Sequence, residues 1–182
     1  MTAMIPPIGM DEAIARLTSF QERLQEAEKS GQNEYFRLFT ASPVGIGAHE
    51  IDVAKRYVRV NPQELRLLGY AESEMLGRAA SDFILMQDFS QRAMERKLSG
   101  GPLRPFVRAF RRKDGTSVMM VLLDRHLKDA QGQIAGGGHV GLVASGCGQD
   151  RTAPQRALIA PIVVAGVGAD SEERTGRGQS EP

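Results

Sequence analysis

From Asp11 to about Glu28 apolar side chains recur at helical spacing. Ile14, Leu17, Leu24 and Ala27 share one side of the predicted helix, with Phe20 at its margin. The intervals 14, 17, 21 and 24 resemble about two heptads, with polar Gln21 at one seam position. An apolar stripe needs cover. The helix is therefore read as a dimerising segment whose interface is Ile14, Leu17, Phe20 and Leu24, and the other reading lays it on its own domain.

Ser30-Gly31 breaks that helix, and Glu34 to Thr40 predicts another turn or two before Ser42-Pro43 stops it. The period then changes to two. Val44 to Glu50 and Arg56 to Val60 read as a hairpin with a somewhat long connection. Asn61-Pro62 caps and opens a short helix that carries Leu65, Leu67 and Leu68 and ends at Gly69. Ser73 to Leu76 is a weak further turn, and Gln91 to Leu98 a clearer helix. Three strands follow: Pro105 to Arg111, Ser117 to His126 and Ile134 to Ala144. The turns Lys113-Asp114-Gly115 and Asp129-Ala130-Gln131-Gly132 join them, and Gly136, Gly137 and Gly138 weaken the last. Two strands, short helices and a three-stranded meander predict an α+β domain. It has a five-stranded antiparallel sheet with helices on one face and a helix ahead of it.

Composition narrows the class without naming a function. The chain has 182 residues, room for one domain of about 100–150 residues plus arms. The division read here is an N-terminal helix over 1–30, a domain over 34–145 and an irregular tail over 146–182. A formal net charge of +1 gives no reason to expect nucleic acid or an anionic membrane as partner. Ala157 to Ala169 is too short an apolar run to span a bilayer. Its form is left open between an added strand, a docked segment and an aggregation-prone tail. The lone cysteine, Cys147, rules out an internal disulfide and suits the cytoplasm. The opening residues have no basic region followed by an apolar run, so they do not read as a secretion signal.

The stretches YFRLFTASPVGI, RYVRVNPQELRLLGYAESEMLGR, FRRKDGTSV and LKDAQGQIAG occur in that order. As a set, over roughly residues 34–144, the chain resembles the PAS family of sensor domains. The resemblance implies a five-stranded antiparallel sheet with a small cavity between sheet and helices. It also implies a sensory or regulatory role, in which a small ligand or a partner is bound and a signal passes through protein–protein contacts. A ligand-free dimerisation or interaction module is the alternative. Homodimers formed through a helix before the domain are common in the family, and a histidine kinase is a typical signalling partner. An Asp-Ile-Thr-Glu-Arg-like junction follows the last strand in many members. Here Ala144-Ser145-Gly146-Cys147-Gly148-Gln149-Asp150 stands in its place. If the chain is complete, its signal must pass to another protein.

The resemblance also sorts the cofactors. Flavin photosensors of the family carry a reactive cysteine in the helical region, and residues 62–100 contain none. The family's best-known haem sensors take a histidine from the long helix, and Gln91 to Leu98 has none either. His49, His126 and His139 fall on strands, where two can meet across the sheet, and they are the ligands to consider only if haem is bound. No other metal ligand is assigned. No nucleophile sits on a tight strand-to-helix turn, so no catalytic residue is assigned and the chain is read as a non-enzyme.

The ligand pocket comes from strand alternation. Met120, Leu122, Asp124 and His126 share one face of the longest strand, and Phe106, Arg108 and Phe110 share a face of its neighbour. In the family the face of Phe110 turns inward. The resulting pocket is Phe83, Phe106, Arg108, Phe110, Met120, Leu122 and Asp124. An inward Arg108 needs Asp124 or an anionic ligand as partner, and otherwise a bulge or the strand end leaves it in water.

Overall fold

The computed structural model describes residues 8–85 and 103–144, together with 92, 95, 96 and 98–100. Helix α1 (Met10–Ser30) has Asp11 and Glu12 in its first turn and Lys29 in its last, charges that complement the helix dipole. Gly31, at φ 138°, ends it and opens α2 (Gln32–Thr40). Strands β1 (Gly47–Asp52) and β2 (Tyr57–Val60) form the first hairpin. Next come α3 (Pro62–Leu68), α4 (Glu72–Met75) and a 3-10 turn over Ala80–Phe83. The meander β3 (Phe106–Arg111), β4 (Ser117–Lys128) and β5 (Ile134–Leu142) completes the domain. The five-stranded sheet is antiparallel throughout, as the strand pattern predicts, and its strand order is β2-β1-β5-β4-β3.

The side chains of the sheet divide into two cores by strand alternation. Met120 and Leu122 join Ile51, Tyr57, Leu68, Met75, Phe83 and Phe110 on the inner face, beneath α3, α4 and the 3-10 turn. Val121 lies in the other cluster with Val107, Val140 and Leu142, packed on the outer face against α1 and α2. The short helices thus cover one face, as expected, and the two N-terminal helices cover the other.

This arrangement corrects the reading of α1. Ala13, Leu17, Phe20, Leu24 and Ala27 form its buried face, with Ile14 only partly buried. Leu17, Phe20 and Leu24 are at most 1% exposed inside a single chain. The sheet of the same chain covers the stripe, so these three residues are not free to form a dimer seam. The predicted first strand also shifts: it begins at Gly47, and exposed Val44 precedes it. Much of Gln91 to Leu98, all of Ala157 to Ala169 and Cys147 lie outside the described residues.

Asn61 fixes the connection between sheet and helices. Its side-chain oxygen accepts from Glu64 N at 3.0 Å and from Ala48 N at 2.9 Å. Its amide nitrogen donates to Ser42 Oγ at 2.8 Å and Phe39 O at 3.1 Å. One buried side chain therefore caps α3 and pins β1 to the end of α2. Gly69, at φ 80°, closes α3 in the left-handed conformation that glycine adopts without penalty.

Candidate functional site: a buried histidine–carboxylate cluster

Glu64 occupies the third position of α3, where a glutamate commonly reaches back to its own N-cap. Here it turns into the sheet. Gly47 makes that approach possible, because a Cβ there would sit 3.0 Å from the Glu64 Cβ and 3.1 Å from its Cα. Across the sheet, His49 on β1 pairs directly with His139 on β5, which pairs in turn with Asp124 on β4. Four ionisable side chains from four elements therefore meet under the inner core.

The distances are short and the cluster is buried. His49 Nδ1 lies 2.5 Å from Glu64 Oε1, and His139 Nε2 lies 3.7 Å from the same oxygen. His139 Nδ1 stands 3.8 Å from Asp124 Oδ1. The two imidazole centroids are 3.1 Å apart, and the ring of Tyr57 packs edge-on against His49 at 4.4 Å. Glu64 is fully buried and His49, His139 and Asp124 are nearly so. Glu64 Oε2, His139 Nε2 and the Tyr57 hydroxyl have no hydrogen-bond partner in the structure.

Burial shapes the charge state. Alone it would push the Glu64 carboxyl up, but the charge of His49, with the neighbouring His139, holds it down to about 2. Burial lowers His139 to about 3; His49 adds to that shift, while Glu64 and Asp124 oppose it. Burial raises the Tyr57 hydroxyl well above its ordinary value, reinforced by Glu64. Near neutral pH the cluster therefore holds an ionised Glu64 and a neutral His139.

The sequence-derived pocket residues lie on this inner side. Phe83, Phe110, Met120 and Leu122 are buried in the inner core, with half-buried Phe106 packed against them. Arg108 is buried, with its guanidinium 4.7 Å from the centre of the Phe106 ring. Burial lowers its pKa, and the charge of Asp124 opposes that shift. The reading that left Arg108 in water is thus overturned. Of the three histidines, His49 and His139 meet, whereas His126 pairs with Gly137 toward the end of the strand. Glu64 and Tyr57 were missed in the sequence. The signal was the glutamate at the third position of the Asn61-capped helix, opposite a glycine in the preceding strand.

A second polar group lies on the outer face. Arg125 bonds to Glu28 at 2.9 Å and to the Tyr35 hydroxyl, which donates to Glu50. Glu50 also accepts from Arg59 at 2.6 Å. This network ties α1 and α2 to the sheet. Gln21 adds a direct link from α1, donating to the Asp124 backbone carbonyl at 3.1 Å. Burial, followed by the charge of Glu50, raises the Tyr35 pKa.

Comparison with known proteins agrees with this architecture. A PAS domain from Colwellia psychrerythraea superposes with a TM-score of 0.54 at 12% identity, covering 61% of this chain and 94% of that one. The Vibrio cholera VqmA–ligand–DNA complex gives 0.51 at 18% identity, covering 62% of this chain and 51% of that one. An RNA-binding Light-Oxygen-Voltage receptor gives 0.52 at 19% identity, covering 59% and 31%. These likenesses show the fold. No curated protein matches the chain. No helix among the described residues is long and apolar enough to cross a membrane. The family model described as the PAS fold matches residues 33–140, more than half of the sequence, and the chain belongs to the PAS family.

Proposed function

We propose that this PAS domain is a sensory or regulatory module whose input acts on the buried cluster and whose output leaves through α1 and α2. The observation that carries the reading is the connection across β4. Asp124 faces the cluster, its carbonyl holds Gln21 of α1, and the next residue, Arg125, holds Glu28 and Tyr35. A ligand that changes the cluster would shift the helices in proportion to its differential affinity for the two states. The signal would pass to a partner protein, such as a histidine kinase, in the cytoplasm. A homodimer would have to use a surface other than Leu17, Phe20 and Leu24.

Hydrogen exchange on the full chain tests the coupling. Asp124→Asn should accelerate exchange in α1 and α2 as well as in β4 and β5. Acceleration confined to the strands would remove the transmission reading.

The ligand-free interaction module is the second reading, and the tight packing of Phe83, Phe110, Met120 and Leu122 favours it. Native mass spectrometry beside a visible spectrum separates the two. A copurifying ligand supports sensing, and a bare polypeptide mass supports the interaction module.

A further inference from the structure

We propose that His49, Glu64 and His139 form a binding site for a divalent first-row transition-metal ion of the zinc class. The inference rests on the sensory reading for its role and on the cluster alone for its chemistry. The ligand atoms of the three residues all lie within 4.8 Å of one another, and every one of these side chains is buried. Two imidazole nitrogens and one carboxylate oxygen are the donor set of borderline ions such as Zn²⁺. Magnesium and calcium favour oxygen ligands instead.

Two observations beyond the grouping point to an ion. The first is the set of unused atoms. Glu64 Oε2 and His139 Nε2 are deeply buried and without a hydrogen-bond partner among the protein groups, a costly state away from solvent. A cation between the three side chains would engage both. The second is the surroundings. Asp124 stands 3.8 Å from His139 Nδ1, the ring nitrogen facing away from Glu64. A carboxylate on that side of the ring leaves Nε2 as the nitrogen turned toward Glu64 and so toward the ion. The ring of Tyr57 packs edge-on against His49, and its buried hydroxyl has no hydrogen-bond partner.

The ion would join β1, α3 and β5, the three elements that carry its ligands. A site placed there links the inner helices to the sheet's central strands, and Asp124 extends the link to β4. His126 is not a ligand in this arrangement and serves as the internal control.

The test uses the untagged full chain, stripped with chelator and titrated separately with Co²⁺ and Zn²⁺. One Co²⁺ per chain with intense visible ligand-field bands, displaced by Zn²⁺, is the expected result. Glu64→Gln and His139→Gln should each abolish the bands, and His126→Gln should leave them intact. Asp124→Asn, a positioning change, should weaken binding by about 10–100-fold without altering stoichiometry. Should the ligand variants fail to fold, ring-nitrogen NMR of the wild-type chain decides. Zn²⁺ must then shift His49 and His139 and leave His126 unmoved. Absence of stoichiometric binding to folded wild-type protein would overturn the site, as would bands that survive His139→Gln or a shift of His126 alone. Hydrogen exchange in α1 and α2 is read on the same samples. Metal bound with no change in those helices leaves the site standing and removes the sensory role. Helices that respond to Asp124→Asn in a protein that binds no metal do the reverse.

Discussion

Asp124 and Arg125 are consecutive on β4, yet they serve two buried polar groups on opposite faces of the sheet. Asp124 stands beside His139 in the inner cluster, and Arg125 bonds to Glu28 and Tyr35 beneath the N-terminal helices. A strand alternates its side chains, so one peptide unit joins the two groups with no intervening packing to absorb movement. Gly138, opposite Arg125 on β5, supports this. A Cβ there would approach the Arg125 side chain to 3.3 Å.

Arg125→Ala should therefore loosen α1 and α2 more than its position mid-strand suggests. Glu50 keeps Arg59 at 2.6 Å, so the carboxylate is not left alone. The cost should fall near the low end of the range for a broken buried pair, about 3 kcal/mol in urea denaturation. A loss below about 0.5 kcal/mol would mean that the network contributes nothing to docking.

Arg108 and Asp124 form the second testable pair. Both are buried, and the charge of Asp124 favours the charged form of Arg108. Arg108→Ala should cost about 3–5 kcal/mol, because it leaves Asp124 buried with one cation fewer. The double change with Asp124→Ala should cost less than the sum of the singles. Additive effects would show that the two charges act independently.

Much of this fold was legible because its signals are local. Asn61-Pro62, Lys113-Asp114-Gly115 and the alternation through Met120, Leu122 and Asp124 each act within a few residues. The side of the sheet that α1 covers was not legible. A stripe at Leu17, Phe20 and Leu24 reads the same whether a second helix or a sheet buries it. The glycines of β5 were read as weakness, and their use depends on neighbours distant in sequence. At Gly136 a Cβ would fall 2.1 Å from the Ile51 carbonyl oxygen, so the residue permits β1 to lie close. The histidine cluster was half legible: the strand positions of His49 and His139 allowed a meeting, while the glutamate between them arrives from a helix.

Asn61 should be among the least replaceable polar residues. Asn61→Ala removes a helix cap worth about 1 kcal/mol and strands a buried donor, Ala48 N, at about 1–3 kcal/mol more. Asn61→Asp keeps both accepted bonds but turns an acceptor toward Phe39 O and Ser42 Oγ. Both variants should lower the urea midpoint. Wild-type stability in Asn61→Asp would show that the two donated bonds are dispensable.

Deleting residues 1–30 should not merely shorten the protein. It uncovers Val107, Val121, Val140 and Leu142 on the outer face, now buried beneath α1. An apolar sheet face without cover invites association. Sedimentation should find the shortened chain less stable and more self-associated than the full one. A stable monomer would show that α2 alone suffices to cover the sheet.

Acid should weaken the metal-free protein in a manner traceable to one histidine. His139 is lowered to about 3 in the fold from an ordinary 6.5, and Glu64 to about 2 from 4.5. Both folded values are depressed, so the unfolded chain binds more protons as pH falls. The stability tied to each group is complete above its unfolded pKa and is lost on acidification toward the folded one. Between about pH 6.5 and 4.5 His139 acts alone of the two, and its share of the loss approaches about 1.4 kcal/mol per pH unit. Below about pH 4.5 Glu64 adds to it. Urea denaturation of chelator-treated protein at several pH values measures the slope. His139→Gln should flatten that slope in the upper window, whatever the variant costs at pH 7. Equal slopes in the two proteins would mean that His139 takes up its proton in the folded state as readily as in the unfolded one, and that burial does not hold its pKa down.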